Sequence, residues 1–84
     1  MALGHLASAQ GVRSVAVGEE ASAAGLQAIA IGDRSSANAD NSVAIGAGVS
    51  TTRANQVAVG SESSTYTLAG VSSTASQTAQ SGPT

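Results

Sequence analysis

Apolar residues of alternating size run along most of this chain in a frame that repeats every 14 positions. Ser14-Val15-Ala16-Val17-Gly18, Ala28-Ile29-Ala30-Ile31-Gly32, Ser42-Val43-Ala44-Ile45-Gly46 and Gln56-Val57-Ala58-Val59-Gly60 share its columns, and Met1-Ala2-Leu3-Gly4 carries the frame one step backwards. A second column follows each glycine by four residues and holds Ser8, Ser22, Ser36, Ser50 and Ser64, flanked by small residues such as Ala21 and Ala23 or Ser35 and Ala37. Period-two alternation rich in valine and isoleucine and closed by glycine predicts short strands rather than helical turns. Two such strands per constant repeat predict an all-β solenoid.

Neighbouring residues of a strand point to opposite faces, so each repeat must place Val or Ile on one side and Ala on the other. Side-chain size suggests that Val15, Val17, Ile29, Ile31, Val43, Ile45, Val57 and Val59 fill the coil interior. Ala16, Ala30, Ala44 and Ala58 then point outwards, a column of methyl groups suited to close packing against another subunit. The glycine ending each first strand predicts a left-handed or very tight corner. Gly11 and Gly25 hold the second corner in two repeats, and the column then drifts to Ala39, Arg53 and Thr67.

The pattern fails one step later, where the frame meets Val71-Ser72-Ser73-Thr74 instead of apolar, alanine, apolar, glycine. A boundary is expected between residues 61 and 70. Beyond it the letters predict a brief helix, with Ser72 or Ser73 as N-cap, Ala75, Gln77, Ala79 and Gln80 in its body, and Gly82-Pro83 as its stop. The expected division is a repeat region over residues 1–60 and a connector over residues 61–84.

Composition adds a reason for self-association. Of 84 residues, 18 are alanine and only 17 are larger apolar ones, with no cysteine, tryptophan or phenylalanine and a single tyrosine. So thin a core needs help from backbone ladders or from further copies of the chain, since no disulfide can supply it. Three arginines, no lysine and five carboxylates make no basic patch, which argues against nucleic acid or anionic lipid as partners. Neither a membrane-spanning apolar run nor an amino-terminal signal pattern appears, so the segment is expected to be internal, with Met1 added or retained.

The tandem blocks, above all Asn41-Ser42-Val43-Ala44-Ile45-Gly46 with their 14-residue spacing, resemble the YadA-like head of trimeric autotransporter adhesins. The resemblance spans residues 1 to about 60. It implies a left-handed parallel β-roll, three chains around one axis, at the tip of a fibre held in a Gram-negative outer membrane by an anchor outside this sequence. Residues 55–74, through Tyr66-Thr67-Leu68-Ala69-Gly70-Val71, resemble that family's neck, which leads to a coiled-coil stalk. The hexapeptide is associated in the family with collagen, so Asn41, Ser42, Val43, Ala44, Ile45 and Gly46 are the candidate ligand-binding residues. The position three after Gly46 departs from the family pattern, with Val49 where serine is usual and Ser50 only next.

Catalytic chemistry finds no foothold. His5 is the only histidine, which leaves no metal cluster or Ser-His-Asp arrangement within one chain. Ile45-Gly46-Ala47-Gly48 imitates a phosphate-cradling turn but lacks a third glycine and a following helix. No enzyme activity and no cofactor are therefore expected. Stacking one repeat on the next should bring Glu20 near Arg34 and Glu19 near Asp33, an ordinary solvated group sooner than a cation site. Arg13, Gln27, Asn41 and Asn55 share a column and are candidates for an amide ladder. Two functions remain: a homotrimeric adhesin head that contacts host matrix, cells or surfaces, and a spacer that projects a binding domain elsewhere in the fibre. An ice-binding solenoid would need a flat threonine ladder, and only Thr65-Tyr66-Thr67 resembles one. A hexapeptide-repeat acyltransferase would need apolar residues every six positions.

Overall fold

The computed structural model describes residues 1–70 and 72–80, without the side chain of Gln80. The chain winds as a parallel β-solenoid of 14-residue coils, with two short strands in most of them. One sheet holds β1 (Ala2–Leu3), β3 (Val15–Val17), β5 (Ile29–Ile31), β7 (Val43–Ile45) and β8 (Val57–Val59) in that order. The other holds β2 (Ser8–Ala9), β4 (Ser22–Ala23) and β6 (Ser36–Ala37), and a single bridge from Ser36 to Ser50 carries it into the next coil. Register follows the repeat: Ala16 lies beside Ala30, Ala30 beside Ala44 and Ala44 beside Ala58.

Each coil is two half-coils of seven residues, because the backbone turns left-handed at Leu6, Arg13, Glu20, Gln27, Arg34 and Asn41, then at Gly48 and Asn55. These residues close both corners with ladders of their own. Gln27 N–H donates to the Val12 carbonyl and Asn41 N–H to that of Leu26, both at 2.8 Å. On the other side Glu20 N–H reaches the His5 carbonyl and Arg34 N–H that of Glu19, also at 2.8 Å. The strands are only two or three residues long, yet corner and strand ladders together leave little of the inter-coil backbone without a partner.

The interior is the reverse of what side-chain size suggests. Ala16, Ala30 and Ala44 are fully buried inside the chain's own roll, together with Ala21, Ala23, Ala28 and Ala37. Ala58, in the same column, is half-buried because the last strand has a neighbour on one side only. Val15, Val17, Ile29, Ile31, Val43, Ile45, Val57 and Val59 do not fill the interior. They flank the inward alanines and so stand on the outer face, with Ile45 39% and Val57 66% exposed. The physical reason is the tightness of the winding. A seven-residue half-coil turns so soon that the two sheets enclose room mainly for methyl and hydroxymethyl groups, with Val49 and Thr51 the larger exceptions in the fourth coil. Pleat parity then sends the flanking residues out.

Serines that precede the strands belong to this interior as well. Ser14, Ser35 and Ser42 are buried, and each hydroxyl donates three residues back, to the carbonyls of Gly11, Gly32 and Ala39 at 2.7, 2.9 and 2.6 Å. Thr51, at a column otherwise filled by alanine, donates to Ser42 Oγ at 3.1 Å. No buried side-chain polar atom among the described residues lacks a partner. Val49 and Thr51 exceed their counterparts Ser35 and Ala37 in size, and at that level the second sheet thins to its single bridge.

The first corner explains its glycines. Gly18 and Gly32 sit at φ 128° and 133°, and a Cβ on Gly18 would come within 2.6 Å of the Gly32 carbonyl oxygen. At the second corner Gly25 does not need an unusual φ; its hydrogen faces the Ala39 carbonyl too closely to admit a methyl group. After Gly60 the chain leaves the roll, and α1 spans Thr74–Gln80. Ser73 caps it, accepting the Ser76 N–H at 3.1 Å while donating to the Gly70 carbonyl at 2.7 Å. The expected stop at Gly82-Pro83 lies outside the described residues.

Candidate functional site

The roll presents two unlike faces. Outside the five-stranded sheet run two apolar columns, one of Val15, Ile29, Val43 and Val57 and one of Leu3, Val17, Ile31, Ile45 and Val59. Leu3 is 55% and Val59 50% exposed, and Val12 and Leu26 extend the exposed apolar surface round the corner that leads into β3 and β5. No charged residue interrupts these columns. Outside the other sheet stand Ser8, Ser22 and Ser36, followed by Ser50, and beside them Gln10, Ala24, Asn38 and Thr52. That face is polar, small and uncharged. A continuous apolar sheet face of this kind marks an interaction surface.

The hexapeptide is divided by the winding into three pairs. Asn41 and Gly46 make corners at φ 55° and 124°, Ser42 and Ala44 are buried, and Val43 and Ile45 stand on the apolar outer face. Of its side chains, Asn41, Val43 and Ile45 alone have appreciable surface. Each letter therefore has an architectural duty. Ala16, Ala30 and Ala44 are not an intersubunit surface, since their methyl groups are spent within the roll, and Ala58, half-buried on the last strand, packs against the same cluster. The outward columns named above are instead the chain's exposed apolar sheet face.

Charged and candidate catalytic groups sit at the corners. Arg34 Nε lies 3.6 Å from Glu20 Oε1 and 3.8 Å from Asp33 Oδ2, all exposed, so the stacking expected of Glu20 and Arg34 occurs as a solvated ion pair worth under about 1 kcal/mol. Glu19 and Asp33 also occupy adjacent coils, and the described residues contain no group of three His, Cys, Asp or Glu side chains able to hold a metal ion. His5 is an exposed corner residue. In the Gly46-Ala47-Gly48 turn the Gly48 N–H donates to the Asp33 carbonyl at 2.8 Å, and the Gly46 N–H to that of Ile31 at 2.8 Å, which leaves neither for a phosphate. Gln27, Asn41 and Asn55 are joined coil to coil through backbone N–H groups, so the ladder expected of side-chain amides is a backbone one.

Sequence reasoning missed the half-coil. Its signal was present: glycines at 4, 11, 18, 25 and 32 recur every seven residues, with Ala or Ser inward on either side of the corners. It also missed Gln56, whose Oε1 accepts the Thr52 and Arg53 N–H groups at 2.8 and 3.3 Å and so ties down the last second corner.

A parallel solenoid of 14-residue coils, alanine inside and Val/Ile outside, is the class these features define. The chain belongs to the YadA head domain repeat family, whose model matches it twice, over residues 1–21 and 23–48. No curated protein matches it. The family consists of adhesin domains of trimeric autotransporters, exposed on the surface of Gram-negative bacteria, and heads of this type in general form trimers. The coil closing at Gly60 lies beyond the matched residues and continues the same ladder, with Gly60 N–H on the Ile45 carbonyl at 2.9 Å.

Proposed function

We propose that this chain is the roll of a homotrimeric, non-enzymatic adhesin head, three copies meeting through the outward Val and Ile columns. The observation that carries the reading is the contrast between the faces: one sheet offers Leu3, Val17, Ile31, Ile45 and Val59 to solvent, the other only hydroxyls, amides and a methyl. Burying the first on sister chains returns roughly 25 cal/mol for each Å² of apolar surface removed from water. Residues 61–84 serve as the connector from head to stalk, and an anchor elsewhere in the parent chain holds the fibre in the outer membrane.

With the apolar columns occupied by sister chains, the serine-bearing face and the corners are the surface left for a ligand. Matrix proteins such as collagen are the ligand class, with Asn41 the one hexapeptide side chain at a corner. Repetition over coils and three copies supplies avidity that one weak contact lacks. A spacer is the second reading, favoured by the architectural duty of each hexapeptide residue. Binding of the chain to immobilised matrix proteins, collagen included, separates the two. Saturable binding to any of them supports the adhesive reading, and binding to none supports the spacer.

A further inference from the structure

Every coil of the five-stranded sheet closes on the same hydrogen bond. Gly18 N–H donates to Leu3 O, Gly32 to Val17 O, Gly46 to Ile31 O and Gly60 to Ile45 O, at 2.8, 2.8, 2.8 and 2.9 Å. The next acceptor in the series is Val59 O, and its donor would be the residue 14 positions after Gly60, Thr74, which instead opens the helix. The Tyr66 hydroxyl takes that acceptor.

Three features set the tyrosine there. Ser61 and Ser64 bond reciprocally, Ser64 N–H to Ser61 O at 3.0 Å and Ser61 N–H to Ser64 Oγ at 2.9 Å, which folds the chain back under the last coil. Gly60 has φ 75° where the earlier corner glycines of this sheet have 124° to 133°, so the final corner turns differently. A Cβ on Gly60 would collide with the Tyr66 hydroxyl and come within 2.9 Å of Ser64 Cβ.

We propose that Tyr66 is the ladder's stop. Its phenol supplies the donor that a further coil would have supplied to Val59, the last residue of β8, so that no strand of a second copy adds there in the parallel sense. An edge strand left with open carbonyls is a template for such pairing. A phenol O–H satisfies one carbonyl and offers the incomer no N–H ladder to continue.

Tyr66 is the chain's only aromatic residue, which makes it its own reporter. In the whole chain the near-ultraviolet dichroism of a fixed tyrosine should be present, and Gly60→Ala should abolish it while the far-ultraviolet β signal stays. Tyr66→Phe keeps the ring and removes the donor. It should shift the Val59 carbonyl-carbon resonance towards that of an unbonded carbonyl, leave that of Ile45 in place, and produce species heavier than the wild-type assembly, whatever its copy number, as concentration rises. An unchanged Val59 resonance overturns the latch. A shifted resonance with unchanged mass overturns its role as guard of the edge.

Discussion

Ala30 and Ile31 are neighbours with opposite tolerances. Ala30 is fully enclosed between the two sheets, whereas Ile31 is 40% exposed on the outer face. Ala30→Val forces two extra methyl groups into space already filled, and we expect it to cost about 1–3 kcal/mol or more in urea unfolding. Ile31→Val removes one methylene from a half-covered position and should cost under about 1 kcal/mol. The reverse ranking would restore the valine-filled interior that size alone suggests. Ser42 provides a second residue-scale test. Ser42→Ala strips the Ala39 carbonyl of a donor and Thr51 of its acceptor, both at a buried site, and should destabilise by about 1–3 kcal/mol.

At the scale of elements, the corners do what longer strands do elsewhere. Gly32→Ala meets both a φ of 133° and the Gly46 carbonyl oxygen at 2.5 Å, so backbone strain of about 1–3 kcal/mol is added to a collision with the next coil. Amide exchange should then rise across β5 and β7 before it rises in β3. The helix is tested separately by Ser73→Ala, which removes its cap and should lower helix stability by about 0.5–2 kcal/mol without disturbing roll amides. Much of this level was legible in the sequence. The strands at Val15–Val17, Ile29–Ile31, Val43–Ile45 and Val57–Val59, the glycine corners and a helix capped by Ser72 or Ser73 all follow from spacing and residue type, and the structure selects Ser73. Which face turned inward did not follow, because alternation fixes that two faces exist and leaves open which is enclosed. That choice depends on the distance between the sheets, which the seven-residue half-coil sets and the 14-residue period alone conceals. The fifth serine, Ser64, sat in its column yet pairs with Ser61 rather than Ser50, since the chain has already turned back beneath Gly60.

For the whole molecule, moving alanine to the inside shifts the proposed basis of assembly from the alanine column to the outward valines and isoleucines. The roll fills its own narrow interior, so its alanines leave nothing for sister chains to cover, and under the proposed function the Val and Ile columns meet them instead. A charge at the centre of those columns should therefore act on association before it acts on fold. Ile31→Asp combined with Ile45→Asp should yield a lighter species that keeps a β-rich spectrum at low temperature, whereas Ser22→Asp on the opposite face should leave the mass unchanged. The most direct measurement is sedimentation equilibrium of the unaltered chain across a wide concentration range. The account predicts a folded particle of three times the 8.0 kDa chain mass. A stable folded particle of a single chain's mass, with its valine and isoleucine columns left in water, would contradict it.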